Sequence, residues 1–135
     1  MIQVSDTDLS IIVPVYQASE KLLLRCLKSV QEIPNLTREV ILVADGKDQT
    51  ACFSQTVREF SETSDFQICF LEKEHEGVSA ARNYGLRHAH GTWIFFMDAD
   101  DYICGEAFEK VYPMLKKEAA DLAVMDYSMV QGAEC

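Results

Sequence analysis

The chain of 135 residues has the size of one small domain, and a composition that is 48% hydrophobic and 25% charged is ordinary for a protein with one core. With 22 acidic and 12 basic residues the formal net charge is −10, which argues against nonspecific nucleic-acid binding and against a polybasic membrane contact. The five cysteines form no C-x-x-C pair, so neither a zinc site nor a redox dithiol is predicted.

The amino terminus, MIQVSDTDLS, lacks the basic start and apolar core of a signal peptide. No apolar run approaches the length needed to span a bilayer, so no transmembrane segment is predicted. We therefore expect a cytoplasmic protein whose cysteines stay reduced.

The first half of the chain alternates two kinds of apolar segment. The β-branched run Leu9–Val15 is too short for a core helix and predicts a strand buried on both faces. Apolar residues then recur at helical spacing between Ser19, an N-cap candidate, and Pro34, which predicts a helix. Glu39–Ala44 predicts a second strand, and the tract Asp48–Glu62 predicts a second helix.

The second half continues this alternation. Phe66–Leu71 predicts a third strand, and the alanine-rich segment Gly77–Ala89 predicts a third helix. Thr92–Met97 predicts the fourth strand. A last helix is predicted over Glu106–Lys117, and Pro113 should kink or split it because proline lacks an amide hydrogen.

A fifth strand is predicted over Asp121–Val130. Strands that alternate with helices at this spacing require right-handed crossovers, so the strands should form a mostly parallel sheet. The predicted fold class is therefore α/β, a Rossmann-like sheet with helices on both faces.

Ligands bind at the carboxyl ends of the strands in open parallel sheets, so residues leaving each strand are the first site candidates. These candidates are Pro14, Tyr16, Asp45, Asp98, Asp100 and Asp101. In an extended backbone, Asp98 and Asp100 point to one side and Asp101 to the other. A pair of carboxylates suits Mg²⁺ or Mn²⁺ bound to a diphosphate. The alternative is a solvated acidic loop that caps the next helix.

Two further residues admit both a binding and a structural interpretation. Asp45 with Gly46 suits a turn after a strand as well as a ligand contact. Arg82 lies in a helix of small residues that Gly77 opens, where it can reach a phosphate or form a structural ion pair. The histidines show no metal-ligand spacing and are interpreted as surface residues: His75, His88 and His90.

The segments SIIVPVY, EVILVADG, GVSAARNYG and FMDADD follow one another between Ser10 and Asp101. In this order they resemble the signatures of the nucleotide-sugar-binding half of inverting glycosyltransferases of family 2, which have the GT-A fold. The resemblance implies transfer of a sugar from a nucleoside diphosphate sugar, usually a UDP-sugar, to the hydroxyl of a saccharide or lipid-linked acceptor. Mn²⁺ or Mg²⁺ is the implied cofactor. The alternative is a nucleotide-sugar-binding or assembly module without catalysis of its own.

The same resemblance implies roles for the residues that match each signature. Pro14 and Tyr16 are implied to lie against the nucleotide, and Asp45 to accept a hydrogen bond from the base, usually uracil. Arg82 is implied to lie near the nucleotide and its phosphates.

The acidic segment also matches the family residue by residue. Asp98 is implied to lie on the ribose side and Asp100 to hold the metal that binds the diphosphate, while Asp101 matches an acid often found after this pair. Two positions depart from the family's pattern, because Gln17 stands where Asn is common and Ala44 where a second acid is common.

In the family, the catalytic base and the acceptor site lie beyond the fifth strand, close to where this sequence stops. The remaining acids do not match the family's later acidic signature: Glu118, Asp121, Asp126 and Glu134. We therefore expect residues 1–135 to be the amino-terminal, nucleotide-sugar-binding part of a longer enzyme, an incomplete GT-A domain without its acceptor-binding half. The catalytic residue stays unassigned, and the longer protein is compatible with a peripheral location at the inner membrane face.

Overall fold

The computed structural model describes residues 6–126 and 129. The elements are β1 (Leu9–Val15), α1 (Glu20–Gln31), β2 (Arg38–Asp45), a 3₁₀ helix (Lys47–Cys52), α2 (Gln55–Thr63), β3 (Gln67–Lys73), α3 (Val78–Leu86), β4 (Trp93–Phe96) and α4 (Gly105–Glu118). The strands form one sheet in the order β3-β2-β1-β4, and all three pairings are parallel. The predicted α/β class is confirmed.

Helices cover both faces of the sheet, as predicted. The larger core lies between one face and helices α1, α2 and α4, which contribute Leu27, Val57 and Phe108. The smaller core lies on the opposite face, where Ala81 of α3 packs against Ile12. Every residue of β1 is buried because the strand pairs on both sides and is covered on both faces.

The first four predicted strands are confirmed: β1 has the predicted bounds, and the bounds of the other three differ by one or two residues. The first helix is also confirmed, since α1 begins after Ser19 and the hydroxyl of Ser19 accepts a hydrogen bond from the N–H of Leu22 at 3.2 Å. A cap and an apolar stripe are local signals, which explains why the sequence located this helix correctly.

The predicted helix over 48–62 is instead two helices. The 3₁₀ helix ends where the N–H of Phe53 donates to the carbonyl of Thr50, and Ser54 then caps α2 through the N–H of Val57 at 3.3 Å. A new N-cap inside the tract therefore breaks it. Pro113 does not split α4, which is continuous from Gly105 to Glu118. The carbonyl that loses its partner belongs to Glu109, an exposed residue, so water can replace the missing N–H.

The predicted fifth strand is not found in residues 121–126 or at 129, and its other positions lie outside the described residues. Leu122 and Val124 are 81% and 90% exposed, so these apolar side chains have no core in the described chain to pack against. Apolar content alone was a misleading signal here. None of the helices in the described ranges has the length and hydropathy needed to span a membrane.

A buried polar cluster ties together the amino ends of the central strands. The carboxylate of Glu39 accepts hydrogen bonds from the hydroxyl of Ser10 at 2.7 Å and from the main-chain N–H of His90 at 2.7 Å. The hydroxyl of Ser10 in turn accepts from the N–H of Gly91, and a Cβ at Gly91 would overlap the backbone of Ser10. Burial alone would raise the pKa of Glu39, but the hydrogen bonds from Ser10 and His90 outweigh burial and lower this pKa below its ordinary value.

We expect Glu39→Gln to reduce the free energy of unfolding by about 1–3 kcal/mol at pH 7, because these hydrogen bonds lose a charged acceptor. Because the pKa of Glu39 is lowered in the folded state, its contribution to the free energy of unfolding is fully present above the ordinary carboxyl pKa of 4.5. This contribution is lost as the pH falls through the folded-state pKa. Urea denaturation of the wild type and of Glu39→Gln between pH 7 and pH 3 should show that their difference in free energy of unfolding becomes smaller as the pH falls. Glu62→Gln, at an exposed glutamate of α2, is the control. A difference that is constant with pH would contradict this assignment.

Candidate functional site

A cleft of about 530 Å³ lies at the carboxyl edge of the sheet. Five of the six residues predicted to bind a nucleotide or metal line this carboxyl-edge cleft: Pro14, Tyr16, Asp45, Asp98 and Asp100. The sixth, Arg82, contacts Asp98 from α3. The parallel strands thus bring together residues that are more than 80 positions apart in the sequence.

Asp45 organises the loop that leads from β3 into α3. It is the last residue of β2 and only 2% exposed, and its carboxylate accepts from the N–H groups of Glu76 at 3.0 Å and Gly77 at 3.1 Å. Its second oxygen also lies 3.0 Å from Nδ1 of His75. Gly77 has φ +100°, the conformation that its position before the helix was expected to need. Asp45 is therefore more than part of an Asp-Gly turn.

His75 lines the cleft, whereas the spacing of the histidines in the sequence indicated only a surface residue. Its ring stacks on the ring of Tyr16, with centroids 4.5 Å apart and an interplanar angle of 13°. The His75 side chain is 53% exposed, so the interpretation was right about exposure and missed the location. The signal that could have revealed this location is its position two residues before Gly77, in the segment that follows a predicted strand.

The segment from Asp98 to Asp101, the acidic turn, is not extended. The strand β4 ends at Phe96, and the N–H of Asp101 donates to the carbonyl of Asp98 at 3.1 Å. The predicted separation of Asp101 from the other two acids is therefore wrong, because the turn places one oxygen of each carboxylate within 4.8 Å of the others. Three exposed oxygen donors at this spacing fit a hard divalent cation.

Electrostatic repulsion is visible within the acidic turn. Burial raises the pKa of Asp101 above its ordinary value, and the charges of Asp100 and Asp98 raise this pKa further, whereas the positive charge of Arg25 opposes the rise. The turn thus gathers like charges that a bound cation would neutralise.

Arg82 projects from α3 toward the acidic turn. Its Nη2 lies 3.3 Å from Oδ1 of Asp98, and its guanidinium lies over the ring of Phe96 at 6.0 Å. Its Nε is buried and has no hydrogen-bond partner among the described residues. Arg82 therefore forms the ion pair that one interpretation predicted, and this pair holds its guanidinium beside the acidic turn.

The two departures from the family's pattern have structural counterparts. Gln17 has a left-handed backbone, φ +51°, a conformation that Asn adopts more readily than Gln, and its N–H donates to Oε1 of Gln49 at 2.6 Å. Ala44 is fully buried in the larger core. Among the late acids, Glu118, Asp121 and Asp126 do not line the cleft, and Glu134 lies outside the described residues.

Residues 10–134 match the family profile described as "Glycosyl transferase family 2". The chain is 37% identical over 122 residues to glycosyltransferase GlyA of Streptococcus pneumoniae serotype 4, a match that covers 90% of this chain and 17% of GlyA. It is 31% identical over 126 residues to poly(ribitol-phosphate) beta-N-acetylglucosaminyltransferase TarS of Staphylococcus aureus, covering 91% of this chain and 21% of TarS. The chain thus spans less than half the length of these curated relatives.

Solved structures give the same result. The S. aureus TarS 1–349 structure in complex with UDP is similar with a TM-score of 0.72 and 26% identity, over 93% of this chain and 38% of that one. The structure of the mannosyltransferase PcManGT from Pyrobaculum calidifontis, in complex with GDP-Man and Mn²⁺, is similar with a TM-score of 0.66 and 25% identity. The match covers 79% of this chain and 32% of that one. The expected GT-A fold is confirmed, and the chain belongs to glycosyl transferase family 2.

Proposed function

We propose that this chain is the nucleotide-sugar-binding part of a glycosyltransferase that transfers a sugar from a UDP-sugar to an acceptor hydroxyl with inversion and with a divalent cation. The observation that carries the proposal is the convergence of Asp45, Arg82 and the acidic turn around one cleft. Family membership supports the reaction class, and a cytoplasmic location stays a prediction from the sequence.

A UDP-sugar donor is supported by the TarS structures, which were solved with UDP and with UDP-GlcNAc. The cleft itself offers a stacked aromatic pair, Tyr16 and His75, and aromatic faces stack on nucleobases. A carboxylate has about four acceptor positions, and Asp45 uses three on Glu76, Gly77 and His75. We assign the remaining position to an N–H of the base.

Asp100 and Asp98 are the proposed metal ligands. Asp98 shares its carboxylate with Arg82, and of the two remaining acids of the turn it is Asp100 that lines the cleft. A bound Mn²⁺ or Mg²⁺ would stabilise negative charge on the departing nucleoside diphosphate. Arg82 would add a second positive charge on the phosphate side, since its side chain is 37% exposed beside Asp98.

The transfer step also needs a base that deprotonates the acceptor hydroxyl. In the described part of the chain, the acids of the cleft are all assigned to the nucleotide or the metal. We therefore propose that the catalytic base and the acceptor site belong to other parts of a longer protein. Residues 1–135 alone would then bind the donor without transferring its sugar.

We expect Asp45→Ala to weaken uridine and UDP by the same factor, roughly ten- to 150-fold, since a hydrogen bond to a charged group contributes about 1.5–3 kcal/mol. Isothermal calorimetry with uridine, UDP and Mn²⁺–pyrophosphate separates base from phosphate binding. Pyrophosphate affinity should not change. Equal losses for all three ligands would show that Asp45 acts through the loop and not through the base.

For Asp100→Asn we expect the Mn²⁺ dependence of UDP binding to disappear while the melting temperature without ligand stays the same, because the exposed side chain contributes little to the fold. In the wild type, a ligand at 100 times its dissociation constant should stabilise the fold by about 2.7 kcal/mol. Thermal shift with UDP, with and without Mn²⁺, measures this stabilisation. Asp121→Asn, an exposed acid that does not line the cleft, is the matched control. Retained Mn²⁺ dependence in Asp100→Asn would remove Asp100 from the metal site.

A further inference from the structure

One face of α1 supports the segment that contains the acidic turn. Arg25 and Ser29 share this face, since they are four residues apart, and Glu32 is the C-cap that follows the helix. The hydroxyl of Ser29 accepts a hydrogen bond from the N–H of Ile103 at 3.0 Å, and a Cβ at Gly105 would overlap the main-chain oxygen of Glu32. The chain that leaves β4 therefore lies directly against α1.

Arg25 makes the contact that reaches the acidic turn itself. Its Nη2 donates to the main-chain carbonyl of Asp100 at 2.8 Å, and its guanidinium carbon lies 4.6 Å from the centre of the Tyr102 ring. Within residues 6–126 and 129, Arg25 forms no ion pair with a carboxylate within 4.0 Å. The guanidinium of Arg25 thus holds the backbone and a ring, and it occupies none of the three carboxylates of the acidic turn.

The geometry of Arg25 is specific to a planar guanidinium. Its Nε is buried and lacks a hydrogen-bond partner among the described residues. An unpaired buried donor is unfavourable, so the contacts of the rest of the guanidinium must offset this cost. A flat cation can stack on Tyr102 and donate from its edge to Asp100 at the same time. Both contacts restrain the residues on either side of Asp101.

We propose that Arg25 is a positioning residue for metal binding, which holds the Asp98–Asp101 turn closed through the Asp100 carbonyl before the cation arrives. The inference rests on the proposed function, because it assigns the acidic turn to a divalent cation. Three carboxylates within 4.8 Å repel one another, and the turn would otherwise open to separate them. A fixed main-chain contact opposes this opening without occupying a carboxylate oxygen.

A simple counter-charge role makes the opposite prediction. If Arg25 acted only as a nearby cation, its removal would strengthen the attraction of the acids for Mn²⁺. If it positions the turn, its removal weakens Mn²⁺ binding, because the ligands must then be ordered at the moment of binding. The direction of the change therefore separates the two roles.

The test uses Arg25→Gln and Arg25→Lys, with Lys28→Gln on the exposed part of the same helix as control. Mn²⁺ binding in the presence of UDP is followed by electron paramagnetic resonance, and metal-free UDP binding by calorimetry. Amide hydrogen exchange at Asp101 reports whether the turn is closed, because this N–H bonds to Asp98.

We expect Arg25→Gln to weaken Mn²⁺ at least tenfold and to speed exchange at Asp101, with metal-free UDP affinity unchanged. Arg25→Lys keeps one donor for the Asp100 carbonyl but loses the flat stack on Tyr102, so it should restore only part of the affinity. Lys28→Gln should match the wild type. Unchanged or tighter Mn²⁺ binding in Arg25→Gln, with a wild type that binds Mn²⁺, overturns this inference alone. A wild type that binds no Mn²⁺ with UDP overturns the metal dependence of the proposed function, and the inference with it.

Discussion

The parallel pairing of β1 with β2 on one side and β4 on the other is the constraint on which the site depends. The register places Val15 beside Ala44 and Ile12 beside Phe96, so the residues that leave all three strands emerge at one edge. Side chains from four separate segments of the chain then meet in one cleft, and no long loop is needed to bring them there. At the opposite edge, the buried side chains of Glu39 and Ser10 bond to each other, and Glu39 accepts from the main-chain N–H of His90.

Charge is distributed over this edge in a way that suits a metal and a diphosphate. The acidic turn concentrates negative charge at one end of the cleft, and the two arginines that contact it take different partners. Arg82 pairs with a carboxylate, whereas Arg25 holds the backbone. Asp45 is buried and accepts hydrogen bonds from two main-chain N–H groups, so its position is fixed by the fold. The cleft therefore combines one rigid end, at Asp45, with one strongly negative end that could accept a cation.

Much of the fold could be predicted because its signals are local. The buried run of β1 and the cap at Ser19 depend only on neighbouring residues, and the order of strands and helices then limits the topology. The sequence pattern does not decide whether the tract around Ser54 forms one helix or two, or whether Pro113 interrupts α4. In each case two local structures compete. Residues 121–126 were assigned a strand from apolar content, although a strand also needs a partner.

The candidate site was predicted in its residues and only partly in its geometry. The location of Asp45, Asp98 and Asp100 followed from the ends of parallel strands, which is a rule of topology. The closure of the acidic turn, the place of His75 and the contact of Arg25 depend on tertiary packing between distant segments. No spacing in the sequence encodes these contacts, because the partners of Arg25 lie 75 or more residues away.

The central claim is that the carboxyl-edge cleft binds a metal–nucleoside diphosphate complex. Its most direct test is a nuclear magnetic resonance titration of the ¹⁵N-labelled chain with UDP and substoichiometric Mn²⁺, which broadens amide signals near the bound ion. We expect broadening at residues 98–101 that requires UDP. UDP–Mg²⁺ should shift the amides of Glu76 and Gly77 and leave those of His90 and Gly91 unchanged. Broadening that is spread over other exposed acids while residues 98–101 stay sharp would contradict it.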